Sequence, residues 1–214
     1  LHVRYLGALP AIKRNEKFRD TGMAIRKGHF ENNFVKELET PKAPVLMVYS
    51  GDCKYDLKNN LQMSMLGQLL NMVYLRTVRE DAGGTYGVSC SGSLSKYPTE
   101  KGAFQVYFDT DPNRREEMVK LINEGIQEFI EKGPVSEDLS KVKEYMLKTY
   151  KQNQKENGYW MGILNTYYWE NLDMNTGYEE TVNAISSDDL KAFAKTFFGQ
   201  NNEVEVSMSS PVQK

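Results

Sequence analysis

Residues 75–88 read LRTVREDAGGTYGV. A run with helical spacing leads into this stretch and an alternating, β-rich run leads out of it, so it is a joint between a helix and a strand. Upstream, Leu57, Leu61, Met65, Leu66, Leu69, Leu70 and Val73 recur at three- and four-residue steps on one stripe. That spacing predicts a helix over 55–79, roughly six to seven turns long. Downstream, TYGVSCSGSLSKYP and KGAFQVYFDT both alternate, and YPTEKG between them reads as the turn of an antiparallel hairpin. Gly83 and Gly84 let the chain double back. Arg79 at the helix end and Tyr86 at the strand start then face the same way.

Working outward, PVLMVYS at 44–50 is an apolar run bounded by Pro44 and Gly51, which fits a buried strand, and residues 34–40 alternate weakly as a second strand. After the hairpin, Asp111 and Pro112 open a helix over 112–132 that ends at Gly133-Pro134. Ser136 is placed to cap a helix over 137–156, with Glu137 and Asp138 in its first turn. Helical segments follow near 158–171 and 177–184. Ser186 and Asp189 have capping-box spacing, with Asp in place of the usual Glu or Gln, ahead of a helix that ends by Gly199. NEVEVSMSS closes the chain as a short alternating strand. The order strand–strand–helix–strand–strand–helices–strand points to an α+β fold. It is a two-layer sandwich, a mostly antiparallel sheet covered by helices on one face.

Residues 1–12 read as the end of a preceding domain, a helix stopped by Gly7 and Pro10. Residues 13–33 are charged and aperiodic, a linker or arm, and residues 34–214 form the main domain. The chain of 214 residues starts without a methionine and reads as a piece of something longer. LHVRYLGALP is too short in its apolar part, and interrupted by Arg4, to be a signal peptide.

The 27 basic and 29 acidic residues give a net charge of −2, so no bulk field points to nucleic acid. No run approaches the roughly 18 apolar residues of a membrane span. Two cysteines, Cys53 and Cys90, lie far apart and in no metal-ligand spacing, which leaves both one disulfide and two free thiols open, and with them the redox compartment. The two histidines, His2 and His29, are in neither an H-E-x-x-H nor an H-x-x-E-H arrangement. A catalytic zinc needs about three protein ligands, so this chain is not expected to build such a site alone.

At the joint, Arg79, Glu80, Gly83 and Tyr86 match the R-E-x-x-G-x-x-Y pattern carried at the end of a long helix by C-terminal domains of the pitrilysin/insulinase-type zinc peptidases, which this sequence resembles. RYLGALP, then KELETPKAPVLMVYSG, looks like that family's passage from one domain into the next. ISSDDLKAFAKTFFGQNNEVEVSMSSP looks like its closing helix and strand, so the resemblance covers nearly the whole chain. Ala82 and Gly84 depart from the pattern, being small where many relatives carry larger apolar residues.

The resemblance implies the metallohydrolase fold shared with LuxS and the mitochondrial processing peptidase. It also implies two halves enclosing a chamber. The zinc is bound by an inverted motif in an N-terminal half, which this sequence lacks. The C-terminal half contributes an arginine and a tyrosine that hold the substrate backbone and polarise the scissile carbonyl. By position these are Arg79 and Tyr86, catalytic and substrate-binding together. The implied partners are a peptide or protein substrate and the zinc-bearing half, on the same chain or another. Zinc belongs to the full-length protein, and the fragment alone is expected to be inactive. A catalytically inactive scaffold of the same fold and a stand-alone peptide-binding module are the alternatives.

Other features have plainer readings. Arg79 near a helix C-terminus is favourable through the helix dipole alone, and Tyr86 can be an ordinary strand aromatic. His29 and Glu31 in a polar arm read as solvated rather than as metal ligands. Asp109 and Asp111 can be paired carboxylates, but capping accounts for Asp111. The lysines of 141–155 are interleaved with glutamate and tyrosine, as on a solvated helix face. GYWMGILNTYYWE at 158–170 is the most aromatic stretch and is expected to pack in the core, with part of it available to line a chamber wall.

Overall fold

In the computed structural model, which describes residues 2–5, 7–10, 19, 21–22 and 24–210 apart from the side chains of His2, Val3, Asp81 and Tyr86, strand and helix alternate around one five-stranded sheet. The elements are α1 (His2–Tyr5), β1 (His29–Val35), β2 (Ala43–Asp52), α2 (Leu57–Tyr74), a π-helical segment (Leu75–Asp81), β3 (Thr85–Ser95) and β4 (Lys101–Thr110). A 3-10 turn (Pro112–Arg114) then leads into α3 (Arg115–Lys132), α4 (Ser136–Asn153), α5 (Asn157–Glu170), α6 (Tyr178–Ala184), α7 (Ser187–Phe198) and β5 (Glu203–Ser209).

The sheet runs β1-β5-β2-β4-β3, with β1 parallel to β5 and the other pairs antiparallel. Its helix-covered face is apolar because every second residue of β2 and β4 points there: Val45, Met47 and Tyr49 from one, Phe104, Val106 and Phe108 from the other. The α2 stripe of Leu61, Met65, Leu66, Leu69 and Leu70 lies against it, completed by Met118, Ile122 and Ile126 of α3 and Leu190, Ala194, Phe197 and Phe198 of α7. This is the α+β two-layer arrangement that the element order predicts.

Local start signals act as expected at several points. The Asp56 side chain accepts from Asn59 N–H at 2.9 Å, and Asp111 accepts from Asn113 N–H at 2.8 Å. Ser186 and Asp189 form a reciprocal capping box at the start of α7. Ser136, by contrast, is the first residue of α4 rather than its cap, and its hydroxyl bonds no N–H at the helix start. It is instead the Ser140 hydroxyl that donates back to the Ser136 carbonyl at 3.0 Å.

Three expectations are corrected. The first strand spans His29–Val35, earlier than 34–40, and so begins inside the stretch read as an arm. It is an edge strand with little burial, so its residues carry no apolar alternation to read. The long helix is not uniform, since its last turns widen into the π-helical segment. The aromatic stretch at 158–170 forms α5 as expected, but no residue of α5 is buried, so it is not part of the core.

Candidate functional site

The π-helical segment carries Arg79 in its last turn and delivers the chain to the glycine turn. A π turn adds a residue to the i→i+4 repeat and rotates the outgoing side chains relative to the α2 stripe. Ala82 N–H bonds Thr77 O at 3.2 Å, and Gly84 N–H bonds Val78 O at 3.1 Å, so the end of the helix is closed by backbone groups of the turn itself. Gly83 has φ +57, the left-handed region that glycine occupies without strain. Gly84 is buried, and a Cβ there would lie 2.0 Å from the Met118 sulfur. Of the two small residues that depart from the family pattern, Gly84 is therefore demanded by close packing onto α3.

Two side chains beyond the turn hold it. Thr110 Oγ1 donates to Gly84 O at 2.6 Å, and Arg114 Nη2 donates to Ala82 O at 3.0 Å. The same guanidinium grips Glu117 through Nε at 2.9 Å and Nη2 at 2.8 Å. Arg114 and Thr110 belong to the end of the hairpin and the start of α3, far along the chain, and no spacing rule marks them in the sequence. The i,i+3 pairing of Arg114 with Glu117 is legible in the sequence, but the reach of the same Nη2 to Ala82 O is not.

At the strand start, Thr85 pairs with Thr110 and Val88 with Phe108, so Tyr86 and Gly87 together oppose Asp109. This is a β-bulge, a device that re-aims side chains at the end of a ladder. The Thr85 hydroxyl stabilises it, donating to Gly87 O at 2.9 Å and accepting from Gly87 N–H at 3.2 Å. Arg79 is exposed. The side chain of Tyr86 lies outside the described ones, and the backbones of Arg79 and Tyr86 bracket the glycine turn. A cleft of about 480 Å³ opens beside the turn, bounded by Thr40–Lys42, Gly83–Thr85, Asp109–Asp111 and Arg114.

The remaining candidates fall into place. His29 Nδ1 lies 3.2 Å from Glu203 Oε2, whereas Glu31 bonds Asn33 and lies 3.3 Å from Arg115 Nη1. Arg115 binds the buried Glu205 at 2.8 Å and donates to Ser207 Oγ at 3.3 Å. Burial pushes the Glu205 carboxyl up, against the pull of Arg115, while the bonds from Asn33 and Arg115 hold Glu31 down. His29 and Glu31 thus serve a cross-strand network. On α4, Lys141 pairs with Glu137 at 2.6 Å, and Lys143 donates to Asn183 O at 2.8 Å. Cys53 and Cys90 are free thiols. Among the described residues no three His, Cys, Asp or Glu side chains gather as a metal site, and no helix is long and apolar enough to cross a membrane. The described residues thus form no site that fits a zinc ion.

No curated protein matches the chain. Solved structures share its fold. The periplasmic protease PqqL of Escherichia coli superposes with a TM-score of 0.78 at 18% identity, over 98% of this chain and 23% of that one. The ferredoxin protease FusC, solved in complex with Arabidopsis ferredoxin, superposes with a TM-score of 0.80 at 18% identity, over 98% and 23%. A peptidase M16 inactive domain from Pseudomonas fluorescens gives 0.72 at 18% identity, over 89% and 45%. This chain spans about a quarter of the length of the first two. Residues 1–146 match the family described as peptidase M16 inactive domain. The chain belongs to the peptidase M16 family, as one of its C-terminal, inactive-type domains.

Proposed function

We infer that this chain is the C-terminal half-site of a zinc metalloendopeptidase. In this reading it binds peptide substrate and stabilises the transition state opposite a zinc held by an N-terminal half. The observation that carries the reading is the joint. Arg79, Glu80, Gly83 and Tyr86 keep the family pattern at a helix-to-strand turn that is tied down by Thr110 and Arg114 and opens on a cleft. On this reading residues 1–12 end the preceding domain. A connector follows, and the final domain takes in β1 from His29 onward.

Peptide hydrolysis develops negative charge on the scissile carbonyl oxygen. A phenol and a guanidinium fixed beside that oxygen stabilise it more in the transition state than in the ground state. Arg79 supplies a rigid fork of donors for substrate backbone carbonyls, and Tyr86 supplies a single O–H donor. The chain's own residues offer neither a metal-activated water nor a histidine base at the turn, so the isolated domain cleaves nothing.

The test is made on the full-length protein. Arg79→Ala and Tyr86→Phe each lower kcat for peptide cleavage by about 10²–10³. Arg79→Ala leaves the melting temperature nearly unchanged, because an exposed substitution away from packing costs about 0.5 kcal/mol or less. Wild-type turnover in both variants would overturn the assignment. A full-length protein that lacks zinc-dependent cleavage altogether points to the scaffold reading, which the family's description as an inactive domain favours.

A further inference from the structure

Helix α5 carries a single charged residue, as α2 does, and yet, unlike α2, has no buried residue. In its fourteen residues Glu170 is the only ionisable group apart from tyrosines. Trp160, Met161, Leu164, Tyr167, Tyr168 and Trp169 are all exposed, with Met161 at 72%, Tyr168 at 78% and Trp169 at 77%. Large side chains of this kind carry on the order of 150–250 Å² each, so the face presents several hundred Å² of apolar surface. That matches or exceeds the largest patch of an ordinary monomer. A helix apolar on all sides is stable in water only when something covers it.

The helix is not loose. At its start Tyr159 Oη donates to Asn175 Oδ1 at 2.7 Å, and Trp160 Nε1 donates to Gln154 O at 2.8 Å. At its end Lys96 Nζ donates to Glu170 O at 2.7 Å. Lys96 follows the far end of β3, and the eleven residues of that strand span roughly 35 Å from the glycine turn. The α5 face is therefore a separate surface from the Arg79–Tyr86 turn. Lys155 and Glu156 precede it, Glu170 and Asp173 close it, and Lys96 lies against its end, so these charged groups lie at the rim. An apolar centre with a polar rim is the anatomy of a protein interface, and the most apolar examples are the permanent ones.

We propose that the α5 face is the permanent docking surface for another domain of the same, longer protein, one that meets it with an uncharged, apolar surface. Three-quarters of a protein the length of PqqL or FusC lies outside a chain that covers 23% of each. Linked domains meet at effective concentrations near the millimolar range, well above those of a free second copy. A surface with almost no charge also gives a substrate peptide little to set direction or register. The proposal rests on this chain being one domain of a longer protein and not on the roles of Arg79 and Tyr86.

Hydroxyl-radical footprinting of the full-length protein, normalised to the same protein unfolded in urea, tests it on native side chains. Met161, Tyr168 and Trp169 are expected to be protected at least fivefold relative to Tyr145, which is 59% exposed on α4. Reaction as fast as Tyr145 overturns the proposal. So does protection that appears only when a peptide substrate is added, which makes the face a substrate wall. Protection lost on dilution, as the protein passes from dimer to monomer, assigns the face to a second copy and overturns it equally. Peptide cleavage by the same preparation is read separately. An active protein with an open α5 sinks this proposal alone, and a protected α5 in a protein without zinc-dependent cleavage sinks only the half-site reading.

Discussion

The guanidinium of Arg114 donates to the carbonyl of Ala82 at 3.0 Å, so the residue that leads into α3 holds the turn between Arg79 and Tyr86. The two positions are 32 residues apart in the chain. The bond uses one arm of a fork whose other contacts are to Glu117. A lysine cannot serve both partners, because its ammonium is a point donor without the planar fork. Arg114→Lys in the full-length protein is therefore expected to lower kcat/KM for peptide cleavage by roughly one order of magnitude, since small misplacements of a positioned group are costly. The melting temperature should move by no more than a few degrees. Unchanged kinetics would show that the turn holds its shape without this bond.

Gly84 and Met118 share one small space. Adding a Cβ at Gly84 brings it 2.0 Å from the Met118 sulfur, which must move. Gly84→Ala is expected to cost about 1–3 kcal/mol as overpacking. Met118→Ala removes a buried side chain and costs about 2–5 kcal/mol. The double variant should be less destabilised than the sum of the two, with a coupling of about 0.5–3 kcal/mol in chemical denaturation. Simple additivity would mean that the clash is relieved elsewhere.

The start of α7 should respond to acid. The Asp189 carboxyl is held well below the usual carboxylate range, first by the Lys58 ammonium at 2.8 Å and then by the hydroxyl and N–H of Ser186. Its folded pKa lies below its unfolded one, so its contribution is present above the unfolded value of about 4 and fades as pH falls toward the folded value. Asp189→Asn should flatten this part of the acid limb, with its largest effect at neutral pH and an effect that shrinks as pH falls below the unfolded value. Ser186→Ala should cost about 1 kcal/mol at neutral pH through loss of the cap. Both are read from urea melts across pH, and an Asp189→Asn effect that grows on acidification would be the wrong sign.

The two thiols should behave as separate, sluggish groups. Burial pushes Cys53 up to about 11 and Cys90 higher still, so neither is appreciably thiolate near neutrality. Cys90 is buried, with its sulfur 3.5 Å from Gly67 O. Native protein at pH 8 is expected to label slowly at Cys53 and negligibly at Cys90, and both should react on unfolding. A disulfide seen by mass spectrometry without reductant would contradict the free thiols.

The sequence by itself determined the order of elements, the α2 stripe, the hairpin, the capping box at Ser186 and Asp189, and the place of Arg79 and Tyr86 at a helix-to-strand joint. Each of these is local. Helical and strand periods, glycine in a turn and a side chain capping the next N–H groups are written within a few residues of where they act. What only the tertiary structure decided is non-local. β1 is an edge strand whose pairing with β5 joins His29 to Glu203, so nothing around residue 29 announces it. Gly84 is glycine because α3 crosses it, and Arg114 reaches the turn because β4 and α3 bring it there. The aromatic run at 158–170 reads as core by composition, yet α5 has no buried residue. Hydrophobic character states that a surface seeks cover. Which surface covers it depends on packing between segments, or between domains, that no local pattern encodes.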